Sequence, residues 1–195
     1  MPSSQFFFYL VVLLVMRSLA RRSLARRRGH ALFASYLPSI GIRPILYAAL
    51  SGISLAGVYL ILALILALSL PSLFRDIPML REVPQSFGQF AVFGLLAVTI
   101  VPLTEELYWR GLVLDCLQRK LAPWVSALIT ALLFSFSHAL FLVLPGIAGW
   151  TATAAVAGFG LLAAFWVQRT HSLRPAVAAH ASYNATLILC MFVFQ

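Results

Sequence analysis

Five apolar runs, at about residues 44–70, 87–103, 123–144, 146–168 and 175–194, leave this chain few ways to fold. In hydrocarbon every backbone N–H and C=O has to be paired within its own segment, so runs of this length are expected as membrane-spanning helices. A sixth, shorter run at 6–16 has no positive segment before it and no small-residue cleavage site after it, so it is read as a retained first helix rather than a signal peptide. Only 10% of the 195 residues are charged, against about 25% in soluble domains. The expected fold class is therefore all-α: a polytopic transmembrane helix bundle of about six spans with no soluble domain.

The net charge of +9 does not point to nucleic acid, because the basic residues fall between apolar runs instead of forming one polar domain. Arg17, Arg21, Arg22, Arg26, Arg27, Arg28 and Arg43 lie between runs one and two, Arg110, Arg119 and Lys120 between three and four, and Arg169 and Arg174 between five and six. The positive-inside rule makes these three loops cytoplasmic and both termini external. The segment RSLARRSLARRRGH, residues 17–30, suits a solvated face on anionic lipid headgroups. Cys116 and Cys190, far apart in apolar surroundings, define no disulfide framework and no metal knuckle.

Against this background the stretch TEELYWRG, residues 104–111, stands out, because it follows the apolar GLLAVTIVPL with two of the chain's five acidic residues. A charge near hydrocarbon is costly unless paired, wetted or working. On one helix Glu106 and Arg110 are four apart and share a face, whereas Glu105 and Arg110 are about 140° apart. Glu106 is expected to pair with Arg110, leaving Glu105 to find another partner.

Hairpin geometry suggests that partner. Spans three and four are consecutive and antiparallel, and Glu105 stands as far before the turn near Leu121 to Pro123 as His138 stands after it. A carboxylate and an imidazole at one depth could activate a water, or could be a hydrogen bond that only locks two helices. His180 and Asn184 are also four apart on one face of the last helix, and polar pairs of this kind can either bind a ligand or join helices across a bundle. Phe134 lies one turn before His138, and Pro102 removes a backbone donor one turn before the glutamates, leaving the Val98 carbonyl without its helical partner. Glu105 lies far from its cytoplasmic turn and His180 close to Arg174; their depths agree if the hairpin tip, with Arg119 and Lys120, projects into the cytosol.

Three motifs now stand in order on successive predicted spans: EExxxR at Glu105, Glu106 and Arg110, FxxxH at Phe134 and His138, and HxxxN at His180 and Asn184. Together, over roughly residues 87–190, they resemble the CPBP family of CAAX proteases and bacteriocin-processing (abortive-infection) membrane proteins. The resemblance divides the chain into N-terminal spans with an Arg-rich cytoplasmic loop, 1–86, and a catalytic membrane core, 87–195. It implies a glutamate-dependent intramembrane endopeptidase of a multi-pass kind, in a bacterial cytoplasmic membrane. Glu105 and His138 would activate water, His180 and Asn184 would hold the oxyanion, and Glu106, Arg110 and Phe134 would support them. No cofactor is called for, and the partner is a membrane-associated peptide or protein substrate. No serine or cysteine has a matching base for a covalent route. Two rivals stay open: a zinc protease using Glu105, His138 and His180 as ligands, and a non-enzymatic immunity or carrier protein using the polar cluster as a relay.

Overall fold

The structure, a computed structural model, describes residues 40–69, 87–139 and 147–193. The first apolar run, the Arg-rich segment and the loop at 71–86 lie outside these residues. Among them the chain is helical without strands: α1 Ile42–Ser69, α2 Phe87–Val98, α3 Ile100–Tyr108, a π-helical segment Trp109–Leu114, α4 Asp115–Gln118, α5 Pro123–Ala139, α6 Ile147–Thr170 and α7 Arg174–Val193. Three stretches are long and apolar enough to cross a membrane, Ile42–Ser69, Ala91–Gln118 and Gly149–Thr170, and Pro123–His138 is a shorter apolar helix. With α7 over the run at 175–194, helices stand on five of the six apolar runs.

The largest departure from the apolar pattern is in the third span. The hydrophobic run ends near residue 103, yet the helical stretch runs on from Ala91 to Gln118 and holds TEELYWRG in its second half. Glu106 and Arg110 do not end the span because they are paired with each other inside the bundle, as described below. The span is also irregular at two points. The helix is distorted at Thr99, with φ −112° and ψ −69°, three residues before Pro102, whose missing N–H cannot serve the Val98 carbonyl. Threonine hydroxyls take up neighbouring acceptors, Thr99 Oγ1 donating to Leu95 O at 2.6 Å and Thr104 Oγ1 to Ile100 O at 2.9 Å. The second irregularity is the π-helical segment, a feature that recurs at functional sites.

Small residues set the close contacts of the bundle. Hydrocarbon gives helices no hydrophobic reason to associate, so packing and interhelical hydrogen bonds hold them. On α1, Ala48, Gly52 and Ala56 form one buried face at four-residue spacing, while Leu46, Leu50, Ile53 and Ile61 are exposed on other faces, as bilayer-facing side chains should be. Between α5 and α6, a Cβ on Gly160 would lie 2.9 Å from Ala131 Cα, so only glycine permits this approach. Gln168 Nε2 donates to Pro123 O at 2.8 Å, which ties the end of α6 to the start of α5.

The turn from α6 to α7 explains the depth problem raised by the sequence. His171 takes the left-handed conformation, φ 51°, which histidine tolerates better than most residues. The following Ser172 and Leu173 are buried, and Leu173 packs over Gly111. The turn is drawn into the bundle, so α7 starts inside it and His180 reaches the glutamates within six residues of Arg174. Arg119 and Lys120 are exposed at the tip between α4 and α5.

Candidate active site

Arg110 and Glu106 form the floor of the site. Both are fully buried, with Arg110 Nη1 3.0 Å from Glu106 Oε1 one helical turn away. Arg110 Nη2 donates to the Gly160 carbonyl at 3.0 Å, and its guanidinium lies 4.6 Å from the Phe134 ring centre. A buried cation is stable only when paired and hydrogen-bonded, and α6 and α5 supply what α3 cannot. Asp115 pairs instead with Arg119 at the exposed end of the span, away from this cluster.

His180 crosses to the same carboxylate, its Nδ1 2.9 Å from Glu106 Oε1. Glu106 Oε1 accepts from Arg110 Nη1 as well, and a carboxylate oxygen in that role only accepts, so Nδ1 carries the hydrogen. The opposite nitrogen, Nε2, then faces Glu105 Oε2 at 3.8 Å. His138 is held the same way from α5. Its Nδ1 lies 2.9 Å from the Phe134 carbonyl, an acceptor only, and its Nε2 is 3.7 Å from Glu105 Oε2.

Glu105 Oε2 is thus buried, flanked by two imidazoles, and without a hydrogen-bond partner in the protein. Separations of 3.7 and 3.8 Å are too long for direct hydrogen bonds, which fall near 2.9 Å. The cluster is most open on the His138 side, where that side chain is 31% exposed against 13% for Glu105 and 5% for His180. No group of three or more His, Cys, Asp or Glu side chains among the described residues is arranged to hold a metal ion.

Aromatic rings wall the cluster. Phe134 is 4.4 Å from His138 and 5.8 Å from Trp109, and Phe159 is 4.6 Å from His180, centre to centre. Asn184 turns its amide nitrogen to the Ala97 carbonyl at 2.8 Å, just before the irregularity at Thr99.

Six of the motif residues therefore converge, with Glu106 paired to Arg110 and Glu105 turned toward His138 from the other side of the helix, whereas the contact of Asn184 is with the Ala97 carbonyl and not with this cluster. Phe159, the Gly160 carbonyl and the bond between His180 and Glu106 escape sequence reasoning. Phe159 and Gly160 lie in the apolar middle of a helix whose polar residues, Thr151, Thr153, Gln168, Arg169 and Thr170, stand toward its ends, and no spacing rule encodes a contact across 74 residues.

The family model described as type II CAAX prenyl endopeptidase Rce1-like matches residues 87–186, just over half of the chain and all of the cluster described above. The chain belongs to this family. An Rce1-like chain with three helices able to cross a bilayer among its described residues is an integral membrane protein and a protease of the CAAX type. No curated protein and no solved structure matches it.

Proposed function

We propose that this Rce1-like protein is a glutamic intramembrane endopeptidase in which Glu105 and His138 activate a water that attacks the scissile carbonyl directly. One observation carries the reading: Glu105 Oε2, buried and unpartnered, faces two imidazole Nε2 atoms at 3.7 and 3.8 Å. An acceptor in that position is served by a molecule that donates, and water is such a molecule. Neutral His138 presents a lone pair at Nε2 because its Nδ1 hydrogen is taken by the Phe134 carbonyl. A water between them meets two acceptors, and its oxygen keeps a lone pair for attack.

In the reaction the water oxygen bonds to the carbonyl carbon, its proton passes to Glu105, and the carbonyl oxygen becomes an oxyanion. Collapse of the tetrahedral intermediate breaks the C–N bond, and Glu105 returns the proton to the leaving nitrogen, which regenerates the carboxylate. His180 and Asn184 are the proposed oxyanion donors. Because Nδ1 of His180 already donates to Glu106, Nε2 donates only when the ring carries both hydrogens. Glu105 and Glu106 are then balanced by Arg110 and His180, and a neutral sum is what a low-dielectric site requires. The Asn184 amide has two hydrogens: one is used by Ala97 O, which orients the group, and the second remains for substrate.

The substrate proposed is a membrane-associated peptide or protein cut near its tail. The family's name speaks of prenylated CAAX ends, while bacteriocin leaders and C-terminal sorting tails offer the same chemistry to this site. The basic loops support a multi-pass orientation in a bacterial cytoplasmic membrane with the Arg-rich segment on anionic headgroups, and no nucleic acid partner. Comparison of peptides released in cells carrying the native chain or Glu105→Gln tests the reading and supplies a reporter peptide. A cleavage product present with the native chain and absent with Glu105→Gln is expected; identical peptide sets would refute a protease at this site.

A further inference from the structure

Helix α1 lies outside the matched residues 87–186, yet it touches α7 on both sides of His180. A Cβ built on Gly52 would lie 2.2 Å from the Ala179 carbonyl oxygen and 2.5 Å from Ser182 Oγ. Ala179 immediately precedes His180, and Ser182 follows it by two residues. Ser182 Oγ donates to the Ala49 carbonyl at 2.8 Å, so the two helices are also joined by a hydrogen bond beside the Gly52 contact. A third tie runs to α6, where Trp166 Nε1 donates to Ser51 Oγ at 3.0 Å. Helix α6 carries Phe159, whose ring packs on His180. The elements that fix the imidazole from behind are thus themselves fixed by one short stretch of α1, Ala49 to Gly52.

We infer that α1 is a positioning element of the active site, with Gly52 and the bond from Ser182 to Ala49 setting where His180 Nε2 stands relative to Glu105. The inference rests on the role proposed for His180 above. Its physical basis is the sharp dependence of catalysis on placement. An ordinary carbon–oxygen contact is 3.4 Å or longer, so a methyl group at Gly52 forces the helices apart by about 1 Å. That displacement acts next to His180, and a misplacement of about 1 Å costs on the order of 10²-fold in rate. The clamp touches no substrate, so it should act on the chemical step and leave binding alone.

The test uses the full chain purified in detergent, the reporter peptide, and kcat expressed per folded molecule. Gly52→Ala should lower kcat by about 10²-fold with KM changed less than about twofold. Gly57→Ala makes the same change on the same helix where nothing lies within 4 Å, so it should leave both constants at native values. Ser182→Ala removes the bond to Ala49 without adding volume and should lower kcat more modestly, again without moving KM; it decides the matter if Gly52→Ala does not fold. Native kcat in both Gly52→Ala and Ser182→Ala, alongside an inactive His180→Ala, would overturn the inference and leave the site reading standing. An active His180→Ala would overturn the reading of His180, and the clamp with it.

Discussion

His180 Nδ1 and Glu106 Oε1 stand 2.9 Å apart, joining the last helix to the buried carboxylate that Arg110 also holds. This contact separates the two adjacent glutamates. Each glutamate keeps one oxygen without a protein partner, but Glu106 holds a cation and an imidazole at 3.0 and 2.9 Å on its other oxygen, whereas the nearest groups to Glu105 Oε2 are two imidazoles at 3.7 and 3.8 Å. The first is built into the fold and the second is available for chemistry.

Removing the cation tests the structural half. Arg110→Ala leaves Glu106 buried without its counter-charge and should cost roughly 3–5 kcal/mol, the range for breaking a buried pair. Folded yield and melting temperature in detergent should both fall. Arg110→Lys should restore little, since one ammonium cannot reach Glu106 and the Gly160 carbonyl with the guanidinium's forked geometry.

Asn184 tests the oxyanion assignment. Loss of one preorganised donor lowers kcat by about 10² to 10³-fold with little change in KM. Asn184→Ala should behave in this way on the reporter peptide. Equal losses in folded yield and activity, with native kcat per folded molecule, would mark the bond to Ala97 as the residue's whole purpose.

The zinc alternative is tested by chelation. A site using Glu105, His138 and His180 as ligands would lose activity to a strong chelator and regain it on adding zinc. The purified protein should instead keep full activity in chelator, with well under one zinc per chain. Stoichiometric zinc with reversible chelator inactivation would turn Glu105 from base into ligand.

Orientation follows from the arginines. With Cys116 and Cys190 replaced, a cysteine at position 27 should be labelled only from the cytoplasmic side and one at position 147 only from outside. The reverse pattern would overturn the topology and the cytoplasmic route to the site.

Much of the bundle is legible in the sequence because the bilayer reduces folding to helices, and run lengths then fix their limits: the run at 44–70 is observed as Ile42–Ser69 and that at 146–168 as Ile147–Thr170. The third span is read too short because hydropathy stops at charge, and the partners that neutralise Glu106 lie on the same helix's far turn and on α7. Helical spacing predicts the pairing of Glu106 with Arg110, and hairpin symmetry predicts that Glu105 and His138 share a level. Neither rule reaches the Gly160 carbonyl, Phe159 or the buried turn at Ser172 and Leu173. Those depend on how α6 packs, and its nearly uniform apolarity carries no directional signal. The contact of Gly52 with Ala179 is likewise invisible, since a glycine among alanines and leucines looks the same whether or not a carbonyl lies against it.

The central claim is that Glu105 takes the proton from water, and Glu105→Gln addresses it most directly. Glutamine keeps the size and much of the hydrogen bonding of glutamate but cannot accept the proton. Single-turnover hydrolysis of the reporter peptide by Glu105→Gln should fall by about 10²- to 10⁴-fold, with the melting temperature unchanged. Native rates in Glu105→Gln, together with a folded but inactive Glu106→Gln, would contradict the account and exchange the roles of the two carboxylates.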